Sequence, residues 1–269
     1  MGHAADPSHP RYKSLLARGL LEEAANRGML AGSALIAHGR GEAFDYLLGE
    51  ETSNSAMKAT IEIAKRLKSA EKAVISLNGN TAALAGDDLL RCAAVLGCAI
   101  EINIFYRTPE RMKALLKYID ERKKYIHSQQ PPKEWKGGVD EWHTAVMEVP
   151  VLGAEPDGLI PGLKGPRAKC HKDGILTCDT ILVPLEDGDR CEALVTMGKQ
   201  VLVVDLNPMS RSAKMASVTI VDELCRFANN LLQLLIELDD FSIDSNWDNE
   251  QILQDALDVM ATNMKNITK

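Results

Sequence analysis

Leu15, Leu16, Leu20, Leu21 and Ala24 recur at helical spacing, so a helix is expected over about 10–27. Ser33-Ala-Leu-Ile-Ala37 reads differently, as a short apolar run closed by His38-Gly-Arg-Gly41. That pattern predicts a strand, a tight turn and a new helix from Glu42. Helices are expected next over about 53–68, 81–97 and 108–124, with Thr81 as a cap and Thr108-Pro109 as a helix start. Between them lie two apolar runs, 73–77 and 100–105, that read as buried strands. From about 125 to 160 the regularity stops. Pro131, Pro132, Gly137, Gly138, Trp135 and Trp142 mark an excursion from the pattern. It resumes with strands at 180–184, 200–204 and 218–221 and a short helix at 192–197 stopped by Gly198. An apolar helix at 222–238, an acidic loop and an amphipathic helix at 249–264 complete the reading.

Helices of this length between buried strands imply βαβ units, hence an α/β fold with a mainly parallel sheet. The chain of 269 residues can bury its own core without cross-links. Its 45% hydrophobic and 26% charged residues exclude disorder, collagen and coiled coil as descriptions of the whole. A net charge of -7 repels phosphate backbones, and 4% aromatics leave little for base stacking, so nucleic acid is not an expected partner. The six cysteines form no CxxC pair, and Cys170, His171 and Cys178 match no zinc spacing. Free thiols suit a reducing compartment, and a cytoplasmic location is expected. The first ten residues are polar, and the apolar run 231–238 is too short to span a bilayer, so neither a leader nor a membrane anchor is expected.

In an open parallel sheet, ligands bind beyond the carboxyl ends of the strands. Four expected strand ends carry small and polar clusters: 38–41, 78–80, 186–190 and 205–207. Gly39 and Gly41 would let backbone amides approach an anion, with Arg40 as a donor fork; an ordinary exposed turn is the plainer account. Asn78-Gly-Asn80 is also an ordinary turn signal. Asp187 and Asp189 could hold magnesium, bind ribose hydroxyls or cap a helix. Asp205 and Asn207 could grip a ribose or base, or form a turn ended by Pro208. Arg107, Arg167 and Arg211 add cations near strand ends, which suits a compact polyanionic ligand. Arg18 has no acid partner in its own turn. No Walker loop occurs, and the glycines at 39 and 41 lack the third member of a dinucleotide fingerprint.

Longer motifs carry a resemblance. Ser8-His-Pro-Arg-Tyr12, Leu35-Ile-Ala-His-Gly-Arg-Gly-Glu-Ala-Phe-Asp-Tyr-Leu-Leu-Gly-Glu50, Asn78-Gly-Asn-Thr-Ala-Ala-Leu84, Phe105-Tyr-Arg-Thr108, Leu182-Val-Pro-Leu-Glu-Asp-Gly-Asp-Arg190 and Asp205-Leu-Asn-Pro208 occur in one order. Together they resemble the archaeal phosphopantothenate synthetase family, also called 4-phosphopantoate–β-alanine ligase. The resemblance runs from about 9 to 232. Segment 123–158 looks like a divergent insertion in a single domain of 1–240, and 241–269 like a helical addition.

The resemblance implies a Rossmann-like open sheet, a homodimer, and the ATP-dependent joining of 4-phosphopantoate to β-alanine, releasing AMP and diphosphate in coenzyme A synthesis. ATP and magnesium are implied as co-substrate and cofactor. It places Arg18, Arg40, Asp187, Gly188, Asp189, Ala193, Leu194, Asp205, Leu206 and Asn207 at ATP. His38, Arg40, Asn78, Asn80, Arg107 and Arg190 become candidates for phosphopantoate binding or catalysis, with Arg190 expected to offset the charge of whichever of Asp187 and Asp189 meets ATP. No metal ligands are identified. The apolar helix 222–238 is expected at the dimer interface, because its apolar positions cover more than one face. A kinase acting on pantoate-like acids and a non-catalytic nucleotide sensor are the alternatives.

Overall fold

The computed structural model describes residues 6–9 and 11–266. Pro10, where the first helix was expected to begin, lies outside them; α1 is described over Tyr12–Asn26. The next element differs from the expected strand. A single helix, α2 (Gly32–Leu48), passes straight through His38-Gly-Arg-Gly41 and stops at Gly49, whose φ of 84° is left-handed. Leu35 and Ile36 are exposed on it, Ile36 to 68%, so the apolar run is not a buried strand. The two glycines were misread as turn punctuation. Gly39 has open space where a Cβ would stand, and a Cβ on Gly41 would meet only Leu206 Cδ1, at 3.4 Å, so neither position demands a glycine.

From there the alternation holds. α3 (Asn54–Ser69) is capped by Ser53, whose side chain accepts from the Ala56 amide. β1 (Ala73–Leu77) leads to α4 (Gly79–Leu96), capped by Asn78 rather than the expected Thr81. β2 (Ala99–Ile102) and α5 (Pro109–His127), capped by Thr108, follow. The irregular stretch contains α6 (Val139–Glu148) and an edge strand, β3 (Val151–Leu152), that the sequence reading missed. Trp142 on α6 is fully buried and meets Trp135 edge-on at 5.3 Å between ring centroids. A short antiparallel pair, β4 (Gly158–Leu159) and β5 (Lys169–Cys170), precedes β6 (Thr180–Pro184). Then come α7 (Gly188–Thr196), β7 (Gln200–Val204), α8 (Arg211–Met215), β8 (Val218–Ile220), α9 (Leu224–Glu237) and α10 (Asn249–Lys265).

The main sheet has the order β3-β2-β1-β6-β7-β8, and every ladder in it is parallel. Counting its six strands in chain order gives 3-2-1-4-5-6, the doubly wound Rossmann arrangement. The direction of winding reverses between β1 and β6, and a crevice opens at that reversal. β6 is buried along its whole length, as befits a strand covered on both faces. α9 packs on α3 and α4, which bury Leu224, Phe227, Ala228, Leu231 and Leu235. Its broad apolar surface is therefore covered within the chain, and the reason for placing a dimer interface there falls away. α10 packs on α2, α3 and α8, with Leu253, Ala256 and Met260 meeting Leu48 and Leu206.

Candidate active site

A cavity of about 1010 Å³ opens at the reversal point, near the upper end of the size range for small-ligand sites. Its walls come from α1, α2, the start of α4, the segment after β2, the turn after β6 and the start of α9. Three of the four clusters read as strand ends are strand ends: those after β1, β6 and β7. The fourth lies in the middle of α2, yet His38 and Arg40 still line the cavity.

The turn between β6 and α7 is built under strain. Leu185 has a φ of 56°, which a residue with a Cβ adopts reluctantly. Asn78 holds it from the neighbouring strand end. The Asn78 Nδ2 donates to the carbonyls of Pro184 at 3.2 Å and Leu185 at 3.1 Å, while its Oδ1 accepts from the Thr81 amide at 3.0 Å. Ser212 Oγ donates to the Glu186 carbonyl at 2.7 Å. Gly188 is required here, because a Cβ would stand 2.7 Å from Arg211.

Two buried arginines flank this turn. Arg190, 1% exposed, pairs with Glu186 and donates to Ser76 Oγ at 3.0 Å. Arg167, 7% exposed, reaches Glu186 at 2.9 Å and Asp187 at 2.6 Å. Asp187 is thus neutralised by Arg167 and not, as expected, by Arg190. Burial opposes the charge on both guanidiniums. At Arg167 the adjacent Glu186 and Asp187 outweigh it and raise the pKa, whereas at Arg190 burial prevails and lowers it.

The other candidates divide by position. Asn80 and Leu206 line the cavity with Asn78 and Asp187, whereas Arg18, Arg107, Gly188, Asp189, Arg190, Ala193, Leu194, Asp205 and Asn207 are set back from it. Asn80 Nδ2 donates to the Ala34 carbonyl at 3.0 Å, tying α4 to α2. Arg18 finds its acid on α2, gripping both oxygens of Glu42 at 2.9 and 2.8 Å. Burial tends to raise the Glu42 pKa, but Ser14 and Arg18 win and lower it. Arg107 donates to the carbonyls of Gly153 and Ala154, fixing the chain after β3. Asp189 pairs with Arg211 at the surface. Ala193 and Leu194 face a core cluster, where Leu194 is wholly buried. Asp205 accepts from the Asn207 amide at 2.9 Å and from Ser210 at 2.5 Å, and burial raises its pKa. His38 is half-buried; burial depresses its pKa against the pull of Glu42 and Glu223, which favours the neutral ring.

Among the described residues, no group of three or more His, Cys, Asp or Glu side chains is disposed to hold a metal ion, and no helix is long and apolar enough to cross a membrane.

Residues 55–263 match the sequence profile of a family described as phosphopantothenate/pantothenate synthetase. The chain belongs to this family. A relative from Thermococcus kodakarensis, named 4-phosphopantoate–beta-alanine ligase, is 44% identical over 256 residues, covering 93% of this chain and 89% of the relative. Proteins of the same name from Thermococcus onnurineus, 43% identical over 93% of this chain and 89% of the relative, and Methanosarcina mazei, 38% identical over 96% and 94%, span it equally well.

In this synthetase-family chain the sequence reading missed one wall of the cavity. Arg226 on α9 donates to Asp45 at 2.5 Å and Asp222 at 2.6 Å, and Glu223 caps the helix by accepting from the Cys225 and Arg226 amides. Burial works against the Arg226 charge, but the two carboxylates raise its pKa regardless. The available signal was Asp222-Glu223 at the end of the last strand, with Arg226 one helical turn beyond Asp222.

Proposed function

We propose that the chain joins (R)-4-phosphopantoate to β-alanine, consuming ATP to AMP and diphosphate and yielding 4'-phosphopantothenate for coenzyme A synthesis. The observation that carries this reading is 44% identity, over nearly the whole length, to a relative named for that condensation. The reversal-point cavity, large enough for a nucleotide and a second small acid, supports it.

A carboxylate is a poor electrophile, and transfer of AMP to it converts one oxygen into a leaving group. The amine of β-alanine then attacks the acyl carbon, the acyl–oxygen bond breaks, AMP departs and a proton leaves the nitrogen. The enzyme's part is to hold the reactants and to stabilise charge on the α-phosphate. Arg40, exposed on the cavity wall, supplies a fork for phosphate oxygens. The first amides of α4, beside Asn80, offer an anion seat with a favourable dipole. Asp187, on the turn after β6, accepts from hydroxyl or amine donors of the nucleotide. Neutral His38 is the group on the wall suited to take the proton from the attacking amine. Among the described residues there is no carboxylate cage for magnesium. The ion expected with ATP belongs to the nucleotide complex, and no step is assigned to it.

We place a homodimer interface on the exposed face of α2, where Leu35 and Ile36 lie bare, rather than on α9. A cytoplasmic location follows from the same reading of a metabolic enzyme with free thiols. The reaction is tested with ATP, 4-phosphopantoate and β-alanine, each omitted in turn. AMP and diphosphate should require phosphopantoate, and phosphopantothenate should require all three. Release of ADP instead would make the chain a kinase.

A further inference from the structure

Arg167 lies on the cavity wall, but its nitrogens are already engaged. It sits in the short turn Pro166–Ala168, far in sequence from the acids it meets. Asn103, just past β2, fastens that turn: its Nδ2 donates to the carbonyls of Arg167 at 3.2 Å and Lys169 at 3.0 Å. In return the Arg167 Nε donates to Asn103 Oδ1 at 3.4 Å. The Nη1 is shared between Glu186 at 2.9 Å and Asp187 at 2.6 Å, and the Nη2 points at the Asn103 carbonyl, 3.5 Å away. No fork is left to face a phosphate.

The second oxygen of Glu186 belongs to Arg190, which is anchored on Ser76 of β1. Two arginines and two acids therefore balance in charge, and one network links the ends of β1, β2 and β6. Buried networks of this kind hold geometry more reliably than they add stability. Three of these four side chains are buried in protein, and the fourth, Asp187, is half exposed on the cavity. An unpaired carboxylate there would repel a triphosphate and swing between rotamers. The guanidinium removes both problems.

The geometry points to Arg167 as a positioning residue for ATP use, acting through Asp187: it neutralises that carboxylate and fixes the direction in which it meets the nucleotide. This rests on the ligase reading above, because ATP is the ligand concerned.

The test is a double-mutant cycle on the full-length enzyme, with Arg167→Lys, Asp187→Asn and the pair. The readouts are kcat/KM for ATP, KM for β-alanine and Tm. Arg167→Lys keeps the charge but loses the planar fork. Each single variant should lose about tenfold or more in kcat/KM for ATP, since a small misplacement of a site group costs on that scale. The pair should lose no more than the worse single variant, because both act through one contact. KM for β-alanine should stay within about twofold. Losses that multiply would mean that Arg167 acts independently of Asp187 and would overturn the proposal, as would a folded Arg167→Lys enzyme with wild-type kinetics. Should Arg167→Lys not fold, the charge-neutral pair Arg167→Gln with Asp187→Asn takes its place and leaves Glu186 with Arg190. It should match Asp187→Asn alone, and a further loss would again refute the idea. Absence of diphosphate release by the wild-type enzyme would instead defeat the ligase reading itself.

Discussion

Replacing Asn78 separates two jobs that one side chain performs. Its Oδ1 caps α4 through the Thr81 amide, and its Nδ2 holds the carbonyls on either side of the left-handed Leu185. Ser keeps a capping oxygen but cannot reach two carbonyls; Ala keeps neither function. Losing a cap costs about 1 kcal/mol. Each carbonyl bond is worth about 1 kcal/mol, and losing its donor leaves the strained turn unsupported. Asn78→Ser should therefore lose about 2 kcal/mol and Asn78→Ala about 3 kcal/mol. In urea unfolding, with a slope near 3 kcal/mol/M, these become midpoint shifts of about 0.7 M and 1 M at unchanged slope. Catalysis should fall in both, since the turn that carries Asp187 is freed in both. Two results would refute this account. If the Ser variant unfolds within about 0.5 kcal/mol of wild type, the carbonyl bonds do not hold the turn. If Ser and Ala coincide, the cap contributes nothing.

Arg40→Ala should lose about 100-fold in kcat/KM with an unchanged Tm, because an exposed side chain contributes charge and no core volume; steady-state kinetics beside a thermal melt checks both halves. Asp187→Asn should raise the KM for ATP, whereas Asp189→Asn, whose carboxylate faces Arg211 away from the cavity, should not; a rise confined to β-alanine would move the acid turn to the amine site. Burial holds the folded pKa of His38 below the ordinary histidine value of about 6.5, so the unfolded chain binds more protons there. Its contribution to stability is present above about pH 6.5 and is lost as pH falls through the depressed folded value. His38→Gln should accordingly flatten the acid side of a Tm against pH curve, and an unchanged slope would show that His38 is not held neutral.

The alternation of apolar strands and capped helices was enough to read the parallel sheet, because buried parallel strands such as β1, β6 and β7 are uninterrupted apolar runs. Local signals failed where tertiary contacts decide. Gly39 and Gly41 look like turn residues until α10 and α4 supply the partners that keep α2 helical. β3 is two residues long and has no pattern of its own. Within the site, the strand-end rule found Asn78 and Asp187, since topology alone puts them at the reversal point. It put Arg190 beside Asp187, where the fold puts Arg167. Arg190 is near in sequence but faces Glu186 and Ser76. Arg167 is twenty positions away and arrives through the fold. The ring of Asp45, Asp222 and Arg226 escaped for the same reason, as its longest link spans 181 positions.

The hydrogen bond from Asn78 to the Leu185 carbonyl joins residues 107 positions apart and lies on the seam between the two halves of the sheet. Each half owns one bank of the cavity. Closing a loop of that length is entropically slow work for a folding chain, so the seam is expected to zip after the local βα units have formed. On the ligase reading proposed above, a nucleotide bound across it would touch both halves at once. It then behaves as a clasp, and a saturating nucleotide at about 100 times its dissociation constant would add about 2.7 kcal/mol against separation of the halves. The chain would be most open to proteases when its substrate is scarce, so substrate supply would set the lifetime of the enzyme as well as its rate.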